Sequence, residues 1–173
     1  MWDAIRSPAG HNGFAFIDAK VDFERLAAGG QAPAKLIGVP RVATTLQGVR
    51  AGGTAGPTEA RLNADVPDLA TMALAAINVL DADPDGFVLM IEGGAVDWVN
   101  HANNAGRMLQ EHGDFNRAVN AVVDWVEKNS SWNETLLIVT SDHETGAIWG
   151  PGVWTDVDGD RRFGPGDSFA GFS

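Results

Sequence analysis

Phe87-Val88-Leu89-Met90-Ile91 and Leu136-Leu137-Ile138-Val139-Thr140 are two apolar runs too short for helices, and each leads straight into acidic and histidine side chains. A strand with one wet face alternates apolar and polar residues; a run without alternation fits a strand covered on both faces, as in a parallel sheet. A helical pattern precedes each run. Leu69, Met72, Ala73, Ala76, Ile77 and Leu80 fall at offsets 0, 3, 4, 7, 8 and 11, the stripe of a helix with one buried face. Pro67 suits the first position of that helix. Phe115, Ala118, Val119, Val122, Val123 and Val126 repeat the same offsets, with Asp114 placed to cap them. Helix, strand, helix, strand predicts an α/β fold with a mostly parallel sheet and flanking helices.

Outside this stretch the signals are shorter. Residues 14–18 read as a strand, residues 21–28 as a helix stopped by Gly29-Gly30, and residues 35–39 as a second apolar segment closed by Pro40. Residues 43–64 carry several glycines and Pro57 with little periodicity, which predicts irregular structure. The tail from Gly146 onward is rich in Gly, Pro and Asp and reads as loop. Residues 1–150 are therefore expected to form part of one α/β domain, and residues 151–173 a loop or insert.

Composition narrows the chemistry. Of 173 residues, 45% are hydrophobic and 20% charged, enough to build a core. Twelve Lys and Arg against 23 Asp and Glu give a net charge of −11, which argues against nucleic acid or an anionic membrane surface as partner. The absence of cysteine excludes disulfides, zinc ribbons, iron–sulfur clusters and thiol nucleophiles. Any metal must be held by Asp, Glu and His, a donor set suited to zinc, magnesium, manganese or calcium. No apolar run approaches the roughly 18 residues that span a bilayer. Residues 1–13 show no signal-peptide pattern.

Candidate ligands follow both strands. The first strand gives Glu92, then Gly93-Gly94, then Asp97 and His101; the second gives Asp142 and His143. Sites in open parallel sheets form outside the carboxyl ends of the strands, so two such strands bring these residues to one edge. Asp97 and His101 are four apart and share a face if helical. Gly93-Gly94 permits a tight turn after the strand. Five ligands exceed the need of one tetrahedral zinc, so parts of at least two metal sites are expected. His11 and His112 read as loop residues. Arg50, Arg61 and Arg107 are candidates to approach a phosphate, with nothing in the sequence to select one.

Ile91-Glu92-Gly93-Gly94-Ala95-Val96-Asp97-Trp98-Val99-Asn100-His101-Ala102-Asn103, followed by Thr140-Ser141-Asp142-His143-Glu144-Thr145-Gly146, resembles the alkaline phosphatase family. The resemblance implies hydrolysis of phosphate monoesters with zinc at two sites and magnesium at a third. It implies Glu92 as the magnesium ligand, Asp97 and His101 as ligands of one zinc, Asp142 and His143 as ligands of the other, and Trp98 close to bound phosphate. The implied chemistry is in-line attack on phosphorus by a serine hydroxyl, with cations and an arginine offsetting the phosphoryl charge. It further implies a homodimer and a periplasmic or secreted location. The family's nucleophilic Ser and phosphate-binding Arg have no counterpart here. Ser141 is a poor substitute, since strand alternation turns it away from Asp142. The expectation is an inactive fragment of a longer phosphatase. The alternatives are a phosphodiesterase or sulfatase of the same superfamily, or a non-catalytic metal-binding module.

One motif lies apart from that resemblance. Asp156, Asp158, Asp160 and Asp167 occupy positions 1, 3, 5 and 12 of a possible twelve-residue calcium loop. Arg161 stands where such loops turn on glycine, and no amphipathic helix flanks the segment, so a solvated acidic loop is the competing expectation.

Overall fold

The computed structural model describes residues 13–42, 63–102, 104–143 and 145, with the two short strands Trp154–Thr155 and Ser168–Phe169. The chain opens with a parallel pair. Strand β1 (Ala15–Ile17) leads into helix α1 (Lys20–Ala27) and returns as β2 (Leu36–Gly38), in register Ala15↔Leu36, Phe16↔Ile37 and Ile17↔Gly38. The helix stops where the sequence says it should. Gly29 takes φ +80, and the N–H groups of Gly29 and Gly30 close back on the carbonyls of Leu26 and Arg25. At the far end Arg41 Nη2 donates to Asp18 Oδ1 at 2.7 Å, joining the residues that follow the two strands. That hydrogen bond, then the charge of Asp18, raises the guanidinium pKa.

Three further helices supply most of the remaining core. Helix α2 (Leu69–Leu80) starts two residues later than Pro67 predicts, because Asp68 caps it: its Oδ1 accepts from the Thr71 N–H at 2.8 Å. Pro67 is left outside the helix and fully buried. Helix α3 (Gly94–His101) carries the first ligand motif, and helix α4 (Ala105–Asn129) follows. Asp114 is not the cap of α4. Asn104 is, accepting from the Arg107 N–H at 3.2 Å, and Asp114 lies mid-helix, paired with Arg117 at 2.8 Å. His112 is accordingly an exposed helical residue rather than part of a loop. Helix α2 contacts both α1 and α4, and α3 rests on α4. Phe23 and Leu26 from α1, Ala73 and Ile77 from α2, and Ala118 and Val126 from α4 are buried together with Val99 of α3. Of the predicted stripe Leu69, Ala73 and Ile77 are buried and Met72, Ala76 and Leu80 partly so, while Ala75, outside the stripe, is buried as well, as expected of a helix packed against two neighbours.

The two apolar runs depart from expectation. Residues 87–91 and 136–140 pair with no other strand among the described residues, and they are open rather than covered on both faces. Val88 is 98% and Leu136 83% exposed; Met90, Ile138 and Val139 are exposed too. Phe87 alone of the first run gains a ring partner, lying edge-on to Trp125 at 6.3 Å between centroids. The physical reason is the lack of sheet neighbours: an all-apolar strand without strands and helices around it leaves its side chains in water. The tail also differs from a plain loop. Strands β3 (Trp154–Thr155) and β4 (Ser168–Phe169) form a short antiparallel ladder. Residues 156–167, with Asp156, Asp158, Asp160 and Asp167, lie outside the described residues. The fold is α/β, and the described residues form a small parallel sheet and four helices, consistent with an incomplete sheet. Among the described residues no helix is long and apolar enough to cross a membrane.

Candidate metal centre

Helix α3 sets the first pair of ligands. Asp97 and His101 are one turn apart, and His101 Nε2 lies 3.4 Å from Asp97 Oδ2. On the second segment His143 Nε2 lies at the same 3.4 Å from Asp142 Oδ2. This separation is long for a hydrogen bond, whose range is about 2.7–3.2 Å. It matches two ligands of one tetrahedral ion: bonds of about 2.1 Å at about 109° put ligand atoms about 3.4 Å apart. In each pair an imidazole nitrogen and a carboxylate oxygen stand at that spacing. Among the described residues no group of three or more His, Asp or Glu side chains is assembled to hold a metal, so each pair offers two ligands, not four.

The two segments meet through a residue that spacing alone did not single out. Thr145 Oγ1 donates to Asp97 Oδ1 at 2.5 Å, across 48 positions of sequence. Thr145 stood inside the quoted motif, yet nothing about a lone threonine distinguishes a bond to a distant carboxylate from a solvated hydroxyl. Ser141 Oγ donates at 2.6 Å to the carbonyl of His143, so its hydroxyl is engaged in bending the chain around Asp142. Trp98 projects from α3 half in solvent.

Glu92 is reached differently. It is exposed and borders an open cleft of about 260 Å³, lined also by Gly93, Gly94, Glu111, Asp114 and Phe115. Gly93 has φ −83, so left-handed geometry is not why glycine stands there. A Cβ at this position would lie 2.8 Å from Phe115 Cδ2; the glycine lets α3 start against α4. Glu111 and Asp114 are buried, as is Arg107, and together they set a charged face on the first half of α4. The predicted apolar stripe begins at Phe115 and gave no sign of it. Arg107 is 4% exposed and its Nη1 donates to Gln110 Oε1 at 3.1 Å, so it is part of the helix packing rather than a free phosphate ligand. Arg50 and Arg61 lie outside the described residues.

The described residues thus define an α/β protein that carries two carboxylate–imidazole pairs, with a threonine of the second segment bonded to the carboxylate of the first. The comparisons give that class a family: the model of the alkaline phosphatase family matches residues 39–165, and the chain belongs to that family. Alkaline phosphatase 3 of Bacillus subtilis (strain 168) is 40% identical over 82 residues, covering 47% of this chain and 17% of the relative. The alkaline phosphatase of Escherichia coli (strain K12) is 37% identical over 81 residues, 47% of this chain and 17% of its own length. The human tissue-nonspecific isozyme is 35% identical over 83 residues, 48% of this chain and 15% of its own length. The chain thus spans about a sixth of the curated relatives it matches.

Proposed function

We propose that this chain supplies metal-binding elements of an enzyme that hydrolyses phosphate monoesters. The observation that carries the proposal is the matched pair of 3.4 Å nitrogen–oxygen separations, Asp97 with His101 and Asp142 with His143, in a chain of the alkaline phosphatase family. Asp97 and His101 hold one zinc, Asp142 and His143 the second, and Glu92, across the glycine turn from α3, holds magnesium. Held by these residues, such cations would supply a lowered pKa for an attacking hydroxyl and would offset phosphoryl and leaving-group charge. The protein's own part is positional. The helical turn of α3 fixes one imidazole against one carboxylate, and the Ser141 bond to the His143 carbonyl bends the second segment so that both its ligands project.

The nucleophile is a serine outside these residues, since Ser141 is committed to the backbone. The open apolar runs at 87–91 and 136–140 support a larger sheet around them, so this chain acts as a fragment and is inactive alone. The whole enzyme is exported, to the periplasm or beyond, and is a homodimer; both follow from the family alone. The test is to express the coding sequence together with its flanking frame and measure hydrolysis of p-nitrophenyl phosphate with zinc and magnesium. The longer protein turns over and loses several orders of magnitude in His101→Ala and in His143→Ala. Zinc-dependent turnover by this chain alone, abolished by Ser141→Ala, overturns the assignment of the nucleophile. A phosphodiester hydrolysed in preference to the monoester overturns the substrate class.

A further inference from the structure

We infer that Thr145 is a positioning residue for the Asp97–His101 pair: its hydroxyl holds the Asp97 carboxylate so that the other oxygen stays turned toward the imidazole and the cation they share. The inference rests on the metal assignment above and goes one step past the ligands. The two Asp97 oxygens have separate neighbours. Oδ1 accepts from Thr145 Oγ1 at 2.5 Å, and Oδ2 faces His101 Nε2 at 3.4 Å.

The Asp97 side chain is 37% exposed, so the surrounding packing does not by itself lock its last torsion. That torsion is broad for an aspartate, and an unheld carboxylate would present either oxygen, or neither, to the imidazole. A hydroxyl donor on Oδ1 removes the freedom. The same bond starts two residues beyond His143 and ends on α3, so it also ties the second ligand pair to the first. Partners of this kind orient metal ligands, and their loss typically costs roughly 10- to 100-fold in metal affinity.

Zinc chloride titrated calorimetrically into this chain separates the possibilities. The variants are Thr145→Val, which keeps the shape and removes the donor, Thr145→Ser, which keeps the donor, and His101→Ala. Expected is measurable wild-type binding that His101→Ala loses, a roughly 10- to 100-fold weaker Kd in Thr145→Val, and near wild-type affinity in Thr145→Ser. The metal-free melting temperatures of wild type, Thr145→Val and Thr145→Ser agree. Thr145→Val binding as tightly as wild type while His101→Ala loses the ion overturns the positioning role and leaves the metal assignment standing. Equal binding by wild type and His101→Ala overturns the metal assignment and the positioning role with it. Thr145→Ser as weak as Thr145→Val, or a metal-free Thr145→Val chain that melts well below wild type, makes the contact one of packing and overturns the inference.

Discussion

Gly93→Ala is expected to destabilise the chain by about 1–3 kcal/mol, the usual cost of forcing an extra methyl group into an already packed contact. Gly93 has φ −83, outside the left-handed region that favours glycine, so the steric contact is the main cost. The new Cβ would stand 2.8 Å from Phe115 Cδ2, 3.4 Å from Cγ and 3.5 Å from Cβ. Carbon atoms prefer about 3.5–4.0 Å. The first contact is therefore well inside repulsion, while the other two are tight to ordinary. Relief requires the Phe115 ring to turn away from α3 or the start of α3 to lift from α4. Urea denaturation followed by tryptophan fluorescence reads the change as a lower midpoint at constant slope. A double-mutant cycle with Phe115→Val sharpens the test. Trimming the ring removes the atom that clashes, so the glycine substitution should cost much less in that background, a coupling of 0.5 kcal/mol or more by the usual behaviour of touching residues, roughly. A midpoint unchanged in Gly93→Ala, or a cycle in which the two costs simply add, refutes the steric account of this glycine.

Ile77→Ala, at a buried position of α2, is expected to cost about 2–5 kcal/mol by the same denaturation assay. Val88→Lys, at an almost fully exposed position, should change the stability of this chain by less than about 0.5 kcal/mol; a larger loss means the run is covered after all. In the longer protein proposed above, the same lysine should destabilise strongly, because the strand is then enclosed. Asp68→Ala removes the cap bond to the Thr71 N–H and should lower stability by about 1 kcal/mol, with Asp68→Asn recovering most of it.

How far these elements were legible depends on the range of the forces that make them. The β1–α1–β2 unit follows local signals, apolar runs and a glycine stop, and the structure has all three elements within a residue or two of the expected limits. The stripes of α2 and α4 were legible for the same reason, since a 3.6-residue period is written in the side chains themselves. Their starting points were not. Asp68 and Asn104 set the starts through single side-chain hydrogen bonds, which composition does not rank, in place of Pro67 as first helical residue and Asp114 as cap. Nor was the charged face of Arg107, Glu111 and Asp114, whose burial depends on what packs against α4. The pairing of residues 87–91 and 136–140 is the opposite case: the apolar pattern records a covered environment that the described residues do not contain. The pattern speaks for the surroundings in which the strands are covered, and the exposure of Val88 and Leu136 speaks for their absence among the described residues.

That difference bears unequally on the two ligand pairs. Asp97 and His101 sit on a helix whose Ala95 and Val99 are buried against the rest of the chain, so their spacing is set by backbone that packing already holds. Asp142 and His143 follow residues 136–140, which pair with no strand among the described residues, and are 88% and 57% exposed. Two bonds reach this segment, one local and one long-range: the Ser141 hydroxyl on the His143 carbonyl, and the Thr145 bond to Asp97 across 48 positions of sequence. A pair on a packed helix has little backbone freedom to lose when a cation binds, whereas one on an open segment must also order its backbone, at roughly 1–2 kcal/mol per residue fixed. Sheet completion would remove that cost for the second pair and scarcely alter it for the first. On the proposed metal assignment, the apolar runs and the ligands form one coupled system. Covering Leu136 and Ile138 in a larger sheet would fix the segment that carries Asp142 and His143, and the Thr145 bond to Asp97 would carry that order across to the first pair.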